Sequence, residues 1–269
     1  MRVTTRRNFS AAQFAVAVMI LFAAFGAMAQ TTNGLSDAEI QGHALAQKIL
    51  EQWPTDNFTN SGILQIHDAK GTHSGIPILC ETVVTTTNWQ SIYEASGTDK
   101  IEKLLVVHAA NQSNSYFYDT NYLNKSPILG DIPILGHLFR SPQKLSNAEI
   151  MIPFANSDFW IYDLGLEFFH WPEQKILKKE FRRNCSCEVL ESTNPDPSTN
   201  GYSRVVSWID EETLGIVMAD AYDAQGKLLK EFYPKDFKKV NGQWQLGTME
   251  MDNLQTGSRS RIEFDLNKQ

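Results

Sequence analysis

Cysteine is scarce in this sequence: Cys80, Cys185 and Cys187 are the three cysteines among 269 residues. So sparse and odd a count is not a disulfide framework. In an oxidising compartment, Cys185 and Cys187 would compete for one disulfide with Cys80, and three free thiols are the alternative. No histidine stands at finger-like spacing from the Cys-x-Cys pair, which argues against a zinc site.

The sequence also lacks the short motifs that announce an enzyme. It contains no Gly-x-Ser-x-Gly, no His-Glu-x-x-His, no phosphate-binding loop and no dinucleotide fingerprint. His67, Asp68 and His73 fall near one predicted hairpin, where a solvated loop is favoured over a metal site. We therefore predict a protein without catalytic residues, metal or cofactor.

Positive charge is in deficit, with a net charge of −7 over the whole chain. This balance argues against a nucleic-acid partner and against adhesion to anionic lipid. The sequence does hold one basic cluster, which we interpret as a charged sheet edge that discourages aggregation in preference to an anionic head-group contact. Its members are Lys227, Lys230, Lys235, Lys238 and Lys239.

A long apolar run occurs once, at the N-terminus. Three arginines precede the uncharged run from Ala11 to Phe25, and Ala27-Met28-Ala29 follows it. That order is typical of a cleavable signal peptide, although an uncleaved membrane anchor is the alternative. We predict cleavage after Ala29, leaving one domain over residues 30–269 in the periplasm without a stable membrane anchor.

The export route stays open. Arg6-Arg7 ahead of Phe9 is similar to a twin-arginine signal, but the rest of that pattern is incomplete, so the general secretory route is equally compatible. No cysteine follows Ala29 closely, so no lipid anchor is predicted.

Hydrophobic patterning predicts a mainly β fold. Ser36 and Glu39 form a capping-box pattern at the start of a helix that ends before Pro54. Short β-branched and aromatic runs follow, and at least eight antiparallel strands with one N-terminal helix favour a single, strongly bent sheet or open barrel. We further expect Ser157 or Asp158 to cap a short helix. Leu228–Tyr233 and Lys238–Val240 are predicted as separate strands.

Several segments resemble, in order and spacing, the outer-membrane lipoprotein-sorting family, which has the LolA/LolB-like fold. The resemblance is strongest over residues 157–264. It rests on Ser157-Asp158-Phe159-Trp160-Ile161-Tyr162-Asp163-Leu164, on Tyr202-Ser203-Arg204-Val205-Val206-Ser207-Trp208, on Tyr222-Asp223-Ala224-Gln225-Gly226-Lys227-Leu228-Leu229-Lys230 and on Met249-Glu250-Met251-Asp252-Asn253.

The resemblance implies an open antiparallel half-barrel with short helices at its concave mouth and a cavity that shelters acyl chains of lipid or lipoprotein. It implies a periplasmic carrier without a catalytic step. The alternative is an envelope protein-interaction module that uses the same half-barrel without lipid. Candidate cavity-lining residues, each of which could instead be an ordinary core aromatic, are Trp89, Phe117, Phe159, Trp160, Trp208 and Trp244.

One further string, residues 126–140, resembles a signature of the secretins, the outer-membrane secretion pores. Nothing around it resembles the pore-forming domain, so we interpret it as a local look-alike. Its physics predicts a hairpin or loop that exposes apolar side chains, either as a flap over the cavity or as a docking surface. The residues concerned are Ile128, Leu129, Ile132, Ile134, Leu135, Leu138 and Phe139.

Overall fold

The computed structural model describes residues 34–110, 112–122, 142–147, 149–197, 199–240 and 243–266, without the side chains of residues 121, 122, 239, 240, 243 and 244. The predicted cleavage site at Ala29 and the predicted flap or docking hairpin within residues 126–140 lie outside the described residues.

Helix α1 spans Asp37–Leu50 and begins where the capping box predicts. The Ser36 amide donates to the Glu39 carboxylate at 2.7 Å, and the Glu39 amide donates to Ser36 Oγ at 3.4 Å. Leu45 and Ala46 lie on the buried face of the helix. The predicted N-terminal helix is confirmed.

The described part of the chain has thirteen strands, all joined in one antiparallel sheet. They are β1 (Phe58–His67), β2 (His73–Val84), β3 (Asn88–Ser96), β4 (Lys100–Ala109), β5 (Ser115–Tyr122), β6 (Gln143–Leu145), β7 (Glu173–Arg182), β8 (Cys185–Thr193), β9 (Tyr202–Asp210), β10 (Ile216–Asp223), β11 (Leu228–Val240), β12 (Gln243–Asn253) and β13 (Ser258–Phe264).

Sheet order places the two middle strands of the sequence at the two ends of the sheet. The order runs β6-β5-β4-β3-β2-β1-β13-β12-β11-β10-β9-β8-β7, so β1 pairs with β13 at the centre, and β6 and β7 are the edges. The chain between them, residues 146–172, therefore crosses from one edge to the other, and we call it the crossover. It contains helix α2 (Ile161–Leu164) and a 3-10 helix (Glu167–His170).

One core joins the crossover to nearly the whole sheet. The same buried cluster includes Leu64 of β1, Leu104 of β4 and Leu190 of β8, together with Phe154 and Phe159 of the crossover. Because strands far apart in the order share this cluster, the sheet is bent around the crossover and α1, which lie on its concave face. The predicted open antiparallel half-barrel with helices on its concave side is confirmed. Within the described residues, no helix has the length and apolar character needed to span a membrane.

Two local predictions are wrong. The predicted caps, Ser157 and Asp158, do not cap α2: the Trp160 amide at its start donates instead to Asp163 Oδ2 at 2.8 Å. The segments predicted as two strands form the single strand β11, because its pairing with β12 continues past Asp236, whose φ is 53°. The register is the same on both sides of Asp236, with Lys235 opposite Thr248 and Phe237 opposite Leu246.

The basic cluster is not a sheet edge. β11, which carries four of its five lysines, lies between β10 and β12 in the interior of the sheet. Lys230 is 1% exposed, and Lys235 Nζ lies 2.6 Å from the buried Glu250 carboxylate. The interpretation as an aggregation-blocking edge is therefore wrong, because proximity in sequence does not tell which strands a segment pairs with.

The structure also shows the state of the cysteines and the position of the histidine pair. Cys80, Cys185 and Cys187 are free thiols. His67 and His73 face each other across the β1–β2 hairpin with ring centroids 4.1 Å apart. Within the described ranges, no group of three or more His, Cys, Asp or Glu side chains could hold a metal ion.

Gly42 sets how closely α1 approaches the edge strand β7. A Cβ built at Gly42 would lie 2.5 Å from the Lys175 backbone nitrogen and 2.6 Å from the carbonyl of Gln174. Backbone atoms cannot turn aside as a flexible side chain can, so only glycine allows this contact.

Replacing Gly42 with alanine tests this close contact. At an open helical site the change would raise stability by about 1 kcal/mol. Here we expect the overpacking to lower the free energy of unfolding by about 1–3 kcal/mol, measured by urea denaturation. The exposed neighbour Gln41→Ala is the control and should leave stability nearly unchanged. A Gly42→Ala protein at least as stable as the parent would contradict the assignment.

Candidate functional site

The concave face is organised around a buried ammonium group. Lys230 of β11 donates through Nζ to the Asp158 carbonyl oxygen at 2.7 Å and lies 3.4 Å from Asp163 Oδ2. Its side chain is fully buried. Burial lowers the pKa of Lys230 to about 8, while the nearby carboxylates of Asp163 and Asp158 act in the opposite direction. The sheet therefore holds the crossover through one charged side chain.

Two aromatic rings complete the environment of Lys230. Its Nζ lies 3.6 Å from the centre of the Trp160 ring and 5.3 Å from that of Tyr202. The two rings stack with centroids 4.6 Å apart, and the Tyr202 hydroxyl donates to Asp163 Oδ1 at 2.9 Å. Cation–π attraction and the two acceptors together offset the loss of hydration around the ammonium.

Asp158 joins the same crossover to β13. Its amide donates to Ser260 Oγ at 2.8 Å, while its carboxylate accepts from the Ser258 hydroxyl at 2.6 Å and the Ser260 hydroxyl at 2.8 Å. Ser260 is fully buried. The crossover is buried but does not pair with a strand here. Polar side chains of the sheet therefore supply the hydrogen-bond partners of its backbone groups.

The other half of the sheet holds the crossover in the same way. The Ala155 amide donates to the buried Glu102 carboxylate at 3.1 Å. Tyr93 donates through its hydroxyl to the Leu164 carbonyl at 3.3 Å, and Asn114 Nδ2 donates to the Gly165 carbonyl at 2.8 Å. Both halves of the sheet therefore hold the middle of the crossover, between Ala155 and Gly165.

Between these polar contacts lies an apolar cavity of about 420 Å³. The end of α1, the crossover, the β9–β10 turn and the concave face of β9–β12 form its walls. Much of the cavity exists because the side chains of Ala219 and Ala221 of β10 are small. Lys230 and Asp163 form its polar end. Its apolar lining includes Ile49, Phe159, Leu164, Leu166, Phe168, Val205, Leu214, Ile216, Phe232, Met249 and Met251.

Three of the six aromatic candidates lie at the cavity. Trp89 and Phe159 line the cavity. Trp160 lies beside Lys230, in contact with the polar end. The Trp244 side chain lies outside the described part of the chain.

Phe117 and Trp208 are on the wrong face for cavity lining. Phe117 packs against Ile92 and Leu105 in a small separate cluster, while its neighbour Tyr116 is buried in the main core. Trp208 lies 5.9 Å from the Arg182 guanidinium, on the face of β9 opposite Val205. Side chains alternate between faces along a strand, and a phase error of one residue reverses the assignment.

A second buried acid lies near the cavity, at Glu167 of the crossover. It is 4% exposed and accepts from the Tyr116 hydroxyl at 2.9 Å. Burial raises the pKa of Glu167 to about 7, against the lowering effect of its hydrogen bonds with Tyr116 and Asn114.

A smaller cavity adjoins the apolar one and leads toward a groove. A neck of about 180 Å³ shares Ile49, Trp89 and Leu166 with it, and is also lined by Ser91 and His108. His108 stacks on Trp89 with ring centroids 3.7 Å apart, its Nε2 lies 3.2 Å from Ser91 Oγ, and burial lowers its pKa to about 4. Beyond the neck lies a groove of about 490 Å³ between α1 and the end of the crossover.

Sequence reasoning missed Lys230, Ala219 and Ala221 as site residues. Lys230 ends one of the segments that carry the family resemblance, so a signal was present, but the lysines around it suggested a surface. The two alanines carry no signal, because a small apolar residue in a strand predicts only burial.

A family model described as an uncharacterized protein matches residues 139–268. No curated relative matches the sequence.

Three solved structures share the architecture. A DUF1329 family protein from Desulfovibrio piger has a TM-score of 0.65 at 17% identity, covering 86% of this chain and 92% of that chain. A putative outer membrane lipoprotein-sorting protein domain from Vibrio parahaemolyticus has a TM-score of 0.64 at 19% identity, covering 84% and 91%. A LolA superfamily protein from Nitrosomonas europaea has a TM-score of 0.54 at 16% identity, covering 86% and 92%. At these identities the likeness shows the fold, and at that level it confirms the resemblance.

Replacing Lys230 with methionine tests the charged clamp. The change leaves the Asp163 carboxylate without its cation and the Asp158 carbonyl without its donor. We expect the free energy of unfolding to fall by about 3–5 kcal/mol, measured by urea denaturation. Lys227→Met, in the exposed β10–β11 turn, is the matched control. A loss below about 1 kcal/mol in Lys230→Met would show that the clamp contributes little.

Replacing Glu167 with glutamine tests its buried carboxyl group. The folded-state pKa is raised from 4.5 to about 7, so the proton-linked stabilisation is present below pH 4.5 and is lost as pH rises through 7. Glutamine stays uncharged, so the stability of Glu167→Gln relative to the parent should rise between pH 5 and pH 8, by up to about 3 kcal/mol. Urea denaturation at four pH values measures this, with the exposed Glu173→Gln as control. A stability difference between Glu167→Gln and the parent that does not change with pH would refute the raised pKa of Glu167.

Proposed function

We propose that this chain, which has the fold of the LolA-type outer-membrane lipoprotein-sorting proteins, is a carrier that shelters acyl chains of a lipid or lipoprotein and performs no catalytic step. The observation that carries the proposal is the apolar cavity of about 420 Å³ on the concave face. Its size lies within the roughly 300–1,000 Å³ of small-molecule sites.

The chemistry of the lining favours a hydrocarbon chain. The apolar side chains of Val205, Phe232, Met249 and Met251 form the sheet wall, and Phe159 faces them from the crossover. Methionine and alanine in this wall suit a ligand of variable shape, because methionine adapts its conformation and alanine leaves room. Burying ten methylenes would contribute about 8 kcal/mol before the costs of association.

The alternative, an interaction module that uses the half-barrel without lipid, needs no open interior. A side chain larger than Ala219 or Ala221 would fill that space, and the open cavity between crossover and sheet favours the carrier.

We place the carrier in the periplasm, after removal of residues 1–29. The support is the basic, apolar and small-x-small order of the N-terminal segment. A carrier that moves between membranes has to leave each of them, which agrees with cleavage and with the missing lipid-anchor cysteine.

Native mass spectrometry of the protein purified from the periplasm tests the proposal. We expect co-purified lipid, or uptake of offered phospholipid, in the parent protein. Ala219→Phe should fill the cavity and lower the bound fraction at least about fivefold, because the added ring occupies the acyl site.

Val217→Phe is the matched control, since it adds bulk to the same strand at a half-buried residue that does not line the cavity. Thermal denaturation confirms that both variants are folded. A parent protein that carries no lipid and takes up none when it is offered would overturn the carrier.

A further inference from the structure

We propose that the groove of about 490 Å³ beside the acyl cavity is a head-group subsite for a lipid with an uncharged, hydroxyl-rich head of the glycosyl type. This inference rests on the proposed carrier function and adds the chemical class of the cargo. The groove lies between α1, the β4–β5 turn and the end of the crossover.

Both aromatic and polar side chains line the groove. Trp53 follows α1, and Trp171 follows the 3-10 helix. His43 and Gln47 are four residues apart and share one face of α1, and Glu51 follows at the C-cap of the helix. Flat rings that can cover the apolar face of a sugar, beside amide, imidazole and carboxylate groups that bond its hydroxyls, are the components of such a site.

One polar atom in this groove is buried and unused. His170 Nε2 has no hydrogen-bond partner among the described residues. Burial lowers the pKa of His170, so the ring is uncharged at neutral pH. A buried imidazole nitrogen without a partner is unfavourable, and a ligand hydroxyl would satisfy it.

Charge excludes the common anionic heads. None of the described residues that line the groove is a lysine or an arginine, and Glu51 adds a carboxylate there. Phosphate and carboxylate groups are bound through cations, most effectively through arginine. A neutral head group needs no cation for its binding.

The groove and the acyl cavity adjoin the same neck. The neck between them shares Trp53 and His170 with the groove, and Trp89 and Ile49 with the cavity. An amphiphile that spans the neck places its chain between the crossover and the sheet and its head group beside α1. The chain then lies in the apolar cavity and the head group in the polar groove.

Isothermal titration with three amphiphiles of equal chain length tests the subsite. The probes are dodecyl maltoside, dodecylphosphocholine and dodecanoate, each below its micelle concentration, added to the full chain purified from the periplasm. We expect dodecyl maltoside to bind the parent most tightly, and Trp53→Ala to weaken that binding roughly tenfold while changing the other two by less than about twofold.

Two further variants keep the result interpretable. Trp53→Phe retains a flat ring and should restore most of the maltoside affinity, which a merely structural role of Trp53 would not predict. Lys48→Ala, exposed on the same helix and outside the groove, should change nothing.

The two proposals fail in different ways. If none of the three amphiphiles binds, the carrier itself is overturned. If all three bind equally and Ala219→Phe weakens all of them while Trp53→Ala changes none selectively, the acyl cavity stands and the glycosyl subsite is overturned. Preferential binding of dodecylphosphocholine or dodecanoate overturns the uncharged head group as well.

Discussion

The structure depends on one topological constraint: β6 and β7 are consecutive along the chain and lie at opposite edges of the sheet. The crossover between them has to pass over the whole concave face, where its amides and carbonyls lose contact with water. Polar side chains rising from the sheet, notably Glu102, Lys230 and Ser260, supply the missing partners. Without them the burial of so long a connection would be strongly unfavourable.

The same contacts account for the cavity. A purely apolar crossover would settle onto the sheet until the space between them closed, because close packing is favourable everywhere in an interior. Here the hydrogen bonds of Asp158, Ala155 and Gly165 hold the segment at fixed points. Between those points Ala219 and Ala221 are too short to reach it, so an apolar space persists beside the polar contacts. The contacts that fix the crossover therefore also maintain the cavity.

Local features could be predicted from the sequence, and features that need the third dimension could not. Ser36 and Glu39 predict the start of α1 because a capping box depends only on residues within four positions of each other. Phe117 and Trp208 were assigned to the wrong face because strand periodicity leaves its phase undetermined until the sheet is known. Lys230 looked like part of a surface cluster, because nothing in its neighbours indicates that Asp158, 72 residues away, is its partner.

The pairing of β1 with β13 links residues 58–67 to residues 258–264. During synthesis β1 can pair with β2 along one edge. Its other edge stays unpaired until β13, near the end of the chain, has been made. Such long-range pairing predicts slow folding that is completed after translation ends. Until β13 has been made, the two halves of the sheet have no strand pairing that joins them into one continuous surface.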